Sequence, residues 1–263
     1  MATLKRSTLV STVVVLLGVS AAWYVSNSNV LKAPAAPQKV ESRHDDKIMA
    51  TLKILQNDVS VTSIQKSDIA GLYSVELASG RPLYATEDGA YIFAGNLFKN
   101  VDGAIVNVTD EAQKKVAVQK LKGLKESDMV IYPAANRKAT ITVFTDVDCP
   151  YCAKLHDDVP ALNAQGIEVR YLAFPRMGLE SETYQKMVSV WCAPDARKAM
   201  DDATGETPIA KLTCDNQVAA QYELGKLLGV RGTPTIYLES GEMMGGYSPP
   251  DRLVPKALAG KAQ

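Results

Sequence analysis

Net charge, histidine and glycine-rich sequence are all scarce in this chain of 263 residues. Lys+Arg 29 balance Asp+Glu 29, so no excess positive charge draws the chain to phosphates, and nucleic acid is not expected as a partner. Only two histidines, His44 and His156, are present, which leaves few nitrogen donors for a four-ligand zinc site. Glycine-rich tracts are few and the apolar content, 46%, is near the globular norm, which argues against disorder. Cysteine is missing from the first 148 positions and then occurs at Cys149, Cys152, Cys192 and Cys214. One close pair and one distant pair suggest an active dithiol and a structural disulfide.

A persistent disulfide needs an oxidising compartment, and the N-terminus bears on that. Lys5 and Arg6 precede a largely apolar run over 9–25, the pattern of an export segment. Its length lies between a signal-peptide core and a spanning helix. Cleavage after Ala21 or Ala22 gives a free mature chain, and retention gives a membrane anchor. In both cases the body beyond residue 25 faces an oxidising space. Residues 26–44, with Asn27, Asn29, Pro34 and Pro37, read as a linker.

The apolar spacing over 45–56 predicts a short amphipathic helix. From 59 to 108 short β-type runs, such as Leu72-Tyr73-Ser74-Val75 and Ala104-Ile105-Val106-Asn107, alternate with turns at Asp88-Gly89 and Asp102-Gly103. This predicts a small antiparallel-sheet domain over 45–108. It has no cysteine, little core of its own and open sheet edges, so self-association is its expected role. A linker helix over 109–126 follows. Thr109 is placed to cap it, acids lie in its first turn and lysines lie towards its end. Its apolar stripe is thin, which suggests a spacer contributing nothing to a core.

Over 127–263 the type alternates: strand 141–145, helix after the cysteines, strand 168–173, helices 181–192, 195–203 and 216–228, a β-hairpin at 235–245 and a helix over 250–259. This is thioredoxin topology with a helical insertion. The fold class is α+β.

Cys149-Pro150-Tyr151-Cys152 sits at a strand-to-helix junction, where unsatisfied helix N–H groups favour thiolate. The other two cysteines form no second C-x-x-C, so a redox site is favoured over zinc. Cys149 is expected to be exposed and to act as nucleophile, with Cys152 buried one turn in and able to resolve a mixed disulfide. Asp148 opposes the Cys149 thiolate by like charge, so only a moderate lowering of its pKa is expected.

In this topology the Thr233-Pro234 bond would be cis and face the dithiol, leaving the Thr233 backbone free to pair with an extended substrate segment. Cys192 and Cys214 frame the insertion, as a structural bridge or as a second dithiol. His156 reads as a packed or surface histidine more readily than as a proton shuttle. Met243-Met244 suits either an adaptable substrate contact or ordinary core strand.

The run Ile141-Thr142-Val143-Phe144-Thr145-Asp146, then Lys154-Leu155-His156, Val169 to Arg176, Trp191-Cys192-Ala193 and Leu228 to Pro234, resembles the DsbC-type periplasmic disulfide isomerases. So does Ala104 to Thr109. The resemblance, over about 45–257, implies a V-shaped homodimer joined through the N-terminal domains, with an apolar cleft for misfolded exported proteins carrying wrong disulfides. It implies a periplasmic site kept reduced by a DsbD-type membrane reductase, with no cofactor or metal. By position it makes Cys149 the attacking cysteine, Cys152 its partner, Thr233 and Pro234 the cis-proline loop, and Cys192–Cys214 the structural disulfide; Pro150 and Tyr151, between the cysteines, join Thr233 and Pro234 as candidate substrate-binding residues. Pro150 stands where the family usually has glycine; proline at that place resembles glutaredoxins and oxidases, and this bears on the redox poise. A net dithiol oxidase and a holdase chaperone are the other readings.

Overall fold

The computed structural model describes residues 42–55, 59–78 and 80–261. The export segment over 1–25, and the linker up to residue 41, lie outside them. Among the described residues no helix is long and apolar enough to cross a membrane.

The first element is helix α1 (Ser42–Leu55), and a meander of four antiparallel strands follows: β1 (Val61–Lys66), β2 (Leu72–Leu77), β3 (Pro82–Thr86) and β4 (Ile92–Phe93). Ile48 and Leu52, one helical turn apart on α1, meet Tyr73, Val75 and Ala85 to make its small core. β1 lacks clean alternation, with Ser63 and Ile64 both partly covered, which is why no run over 61–66 stands out within the β-rich stretch.

Strands β5 (Phe98–Val101) and β6 (Ala104–Asn107) form a separate two-stranded hairpin. It exposes Phe98, Val101, Ile105 and Val106.

Helix α2 (Val108–Lys122) differs from its sequence expectation in two ways. Its cap is Asn107, whose Oδ1 accepts the Asp110 N–H at 3.1 Å. The Thr109 hydroxyl is occupied elsewhere, paired with Tyr84 Oη at 2.7 Å and accepting the Leu97 N–H at 2.8 Å. Nor is α2 a bare spacer. Ala117 is buried among Phe144, Leu172, Phe174, Val230 and Tyr237, and Leu121 and Leu124 pack on the same cluster. A thin stripe suffices because alanine lets the helix lie close to those rings. The helix thus fixes the N-terminal sheet to the second domain.

A 3-10 turn (Glu126–Asp128) leads into the second sheet, ordered β11-β10-β8-β9-β7. Its members are β7 (Val130–Tyr132), β8 (Ala139–Thr145), β9 (Ile167–Ala173), β10 (Thr235–Leu238) and β11 (Met243–Gly245). β8 and β9 run parallel, joined through α3 (Pro150–Asp157) and α4 (Val159–Ala164). Pro160 near the start of α4 is tolerated because first-turn N–H groups have no helical partner.

Three helices form the insertion: α5 (Glu182–Trp191), α6 (Ala196–Thr204) and α7 (Val218–Leu227). The last helix is α8 (Pro250–Ala259). Ile141, Val143, Val169 and Tyr171 of the central strands meet Leu155, Met187 and Leu253 of the helices in the main core.

Candidate functional site: a dithiol against a cis-proline loop

β8 and β10 are antiparallel neighbours, with Phe144 opposite Thr235. Residues just after β8 therefore face those just before β10. Cys149 caps α3 in an extended conformation and Pro150 takes the first helical position, where its missing N–H is not needed and its fixed φ suits the turn. Across the gap the Thr233-Pro234 bond is cis. Cys149 Sγ donates to the Thr233 carbonyl at 3.3 Å. Both Cys149 and Cys152 are free thiols.

One expectation is corrected here. Cys149 is only 2% exposed, as is Cys152, because its sulfur is turned onto the Thr233 carbonyl rather than outwards. Tyr151 is the outward group of the motif, at 62% exposure, and Pro150 is exposed beside it.

The two sulfurs differ electrostatically. Burial would raise the Cys149 thiol, but the Thr233 side chain, the Cys152 N–H and thiol and the Tyr151 N–H outweigh it and hold it below its ordinary value. Burial dominates at Cys152 and pushes its pKa up to about 12. The Thr233 hydroxyl oxygen is buried and unpaired among the described residues. It acts on both sulfurs, so it is a donor that a thiolate can take up.

Four charged residues brace this loop, and three of them carry no sequence signal of their own. Asp146 is 1% exposed. Its Oδ2 accepts the backbone N–H of Arg176 at 2.9 Å and Nε–H at 3.0 Å, while Oδ1 accepts the Asp148 N–H at 2.8 Å. The Arg176 charge in turn attracts negative charge on both sulfurs. Asp148 pairs with Lys186 Nζ at 2.8 Å and accepts from Thr183 Oγ1 at 2.6 Å.

Burial would raise the Asp148 carboxyl, yet Lys186 and Thr183 hold it below its usual value. Its charge is therefore largely offset, and the simple opposition to Cys149 read from the sequence is corrected. Replacing Lys186 with methionine frees that charge. The alkylation midpoint of Cys149 should rise by on the order of half a pH unit, and adding Asp148→Asn should restore it; iodoacetamide rates against pH measure both.

Cys192 and Cys214 are joined, with S–S 2.08 Å and a sequence separation of 22. On the chain-entropy model closing such a loop contributes about 3 kcal/mol. His156 is packed, with Nε2 at 2.9 Å from Asp201 Oδ1 and Nδ1 at 3.3 Å from Tyr171 Oη. The two methionines separate: Met244 packs against the main core and Met243 is exposed. Among the described residues no group of three or more His, Cys, Asp or Glu could hold a metal ion.

The chain is similar in sequence to known proteins. Residues 32–110 match the model of the disulfide bond isomerase protein N-terminal domain, and 125–259 match a thioredoxin-like domain. The chain is 44% identical over 211 residues to a thiol:disulfide interchange protein DsbC of Salmonella typhimurium, covering 80% of this chain and 86% of that one. The chain belongs to the DsbC family of thiol:disulfide interchange proteins.

The DsbC of Escherichia coli strain K12 is 42% identical over 195 residues, covering 74% of this chain and 80% of its own. A solved disulfide interchange protein from Neisseria gonorrhoeae matches 53% of this chain and all of its own at 30% identity, with a TM-score of 0.49. With DsbC relatives of this similarity, the chemistry to be explained at the dithiol is exchange between thiols and disulfides.

Proposed function

We propose that the chain is a disulfide isomerase of exported proteins, working in the periplasm through Cys149. The observation that carries this reading is the asymmetry of the dithiol: Cys149 is held below its ordinary pKa and Cys152 is pushed up to about 12. The first sulfur gives up its proton the more readily, and the second stays protonated at neutral pH.

Cys149 thiolate attacks one sulfur of a wrong substrate disulfide. The S–S bond breaks, a mixed disulfide forms on Cys149, and the other substrate sulfur leaves as thiolate. That thiolate, or one it frees elsewhere, later attacks the substrate sulfur of the mixed disulfide and expels Cys149 thiolate. No net electrons move. If rearrangement stalls, Cys152 loses its proton and attacks Cys149 Sγ, so the substrate leaves reduced and the enzyme is oxidised. A membrane thiol reductase of the DsbD type would then restore the dithiol. Thr233 and Pro234 receive the substrate backbone, and Pro150 and Tyr151 form the facing wall.

Residues 127–263 act as the catalytic domain, with 109–126 joining it to an association domain over 45–108. The exposed Phe98, Val101, Ile105 and Val106 of the β5–β6 hairpin, on strands paired only with each other among the described residues, favour pairing with a second copy into a homodimer. Cys192–Cys214 serves as the structural disulfide.

Pro150 favours one competing reading, a net dithiol oxidase. The two are separated by supplying equal amounts of a fully reduced and a scrambled multi-disulfide substrate to the reduced enzyme without other oxidant. The isomerase reading expects reactivation of the scrambled substrate alone. Reactivation that begins only after the enzyme is oxidised would overturn it.

A further inference from the structure

A groove of about 740 Å³ runs from the N-terminal sheet to the cis-proline loop. Arg81 lines it on the sheet side, Gln113 lines it on α2, Met243 lines it on β11, and Arg231 and Thr233 line it on the cis-proline loop that covers Cys149. Its walls carry three cations, Arg81, Lys226 and Arg231, and no Asp or Glu. Lys226 is offset by Glu223 at 3.0 Å. Arg81 and Arg231 make no ion pair or side-chain hydrogen bond among the described residues, and both are exposed.

These two charges share one groove, and no acid in its lining offsets them. Elsewhere around the site the pattern is the opposite. Arg176 is committed to Asp146, and Lys186 to Asp148.

Resting on the interchange reading, we propose that this groove takes an acidic polypeptide segment flanking the substrate cysteine, with Arg231 and Arg81 setting the preference. A substrate strand laid along the Thr233 backbone advances about 3.3 Å per residue. Arg231, two positions before Thr233, therefore reaches side chains within a few residues of the reacting sulfur. Arg81 on the far wall reaches those further out. Guanidinium suits this task because its planar donors match a carboxylate in a two-point contact. Lysine- or arginine-flanked disulfides meet like charge at the same two points.

The test uses the full-length reduced protein and three disulfide-linked peptides that differ only in their flanking residues: aspartate and glutamate, serine and glutamine, or lysine and arginine. The acidic peptide should react with kcat/KM roughly fivefold above the neutral one, the size of one or two exposed ion pairs. The basic peptide should fall below it, and the spread should shrink at 0.5 M salt as screening takes hold. Charge reversal in Arg81→Glu/Arg231→Glu should invert the order.

Equal rates for all three peptides, or an order unchanged in the reversed variant, would overturn the proposal. Binding of cysteine-free versions of the peptides, followed by fluorescence anisotropy, reads the groove without the chemistry. A preference for acidic peptides in binding without turnover of any disulfide peptide would support the groove and reject interchange. Turnover of all three without preference would do the reverse.

Discussion

Serine at position 149 should abolish reactivation of a scrambled disulfide protein, leaving only the rate without enzyme, while Cys152→Ser should still attack but stall in mixed disulfides. The expectation follows from the division between the sulfurs. A hydroxyl is far too weak an acid to supply the anion that the α3 N-terminus and the Thr233 hydroxyl stabilise, whereas the Cys149 thiol is already held below its ordinary pKa. Cys152, pushed up to about 12, stays protonated from pH 5 to 9. Alkylation across that range should follow one ionisation, with a midpoint below that of an unperturbed cysteine measured alongside. The sign is fixed by the direction of the shift: lowering the pKa raises the thiolate fraction at neutral pH. Both thiols titrating together would contradict it. A serine variant with full activity would place the chemistry elsewhere.

Arg176→Met should cost about 2–3 kcal/mol of stability and raise the Cys149 midpoint. Asp146 is buried at 1% exposure, and its Oδ2 accepts both the Arg176 Nε–H and the Arg176 backbone N–H. Removing the guanidinium strands a carboxylate that water cannot reach. Breaking a fully buried pair costs about 3–5 kcal/mol; Arg176 keeps 38% of its side chain exposed, so the expected loss falls at or below the bottom of that range. For a domain of this size that loss lowers Tm by roughly 5–10 °C.

The midpoint rises because Arg176 also attracts negative charge on both sulfurs. Adding Asp146→Asn should recover part of the stability, since the stranded charge is gone, but not the midpoint, since the guanidinium is still missing. Thermal unfolding and alkylation rates measured on the same samples separate the two effects.

What could be read from the sequence depended on how local each cause is. The strands 141–145 and 235–238 are continuous apolar or β-branched runs, and the structure builds β8 and β10 there. The C-x-x-C motif at a strand-to-helix junction has a local cause, whereas the cis bond before Pro234 was readable only through the topology.

The bracing of the site has none. Asp146 and Arg176 lie 30 positions apart and Asp148 and Lys186 lie 38 apart, and nothing in the spacing of single charges pairs them. Asp148 therefore reads as an isolated acid beside a nucleophile until α5 brings Lys186 to it. The cover over Cys149 comes from a loop 84 positions away. Ala117 shows the limit of periodicity: one small residue in a mostly polar helix joins Leu121 in setting α2 on the Phe144 cluster. Strand β5 was hidden by Lys99 and Asn100 at its centre, which suit a hairpin exposed on both faces.

If substrate disulfides pass through Cys149, the mixed disulfide can be trapped there. Reduced Cys152→Ser protein is mixed with a scrambled substrate, quenched in acid and digested for mass spectrometry without reductant. The account predicts substrate peptides linked to Cys149, with Cys192–Cys214 intact. Substrate linked to Cys192 or Cys214, or no linked peptide while reactivation proceeds, would contradict it.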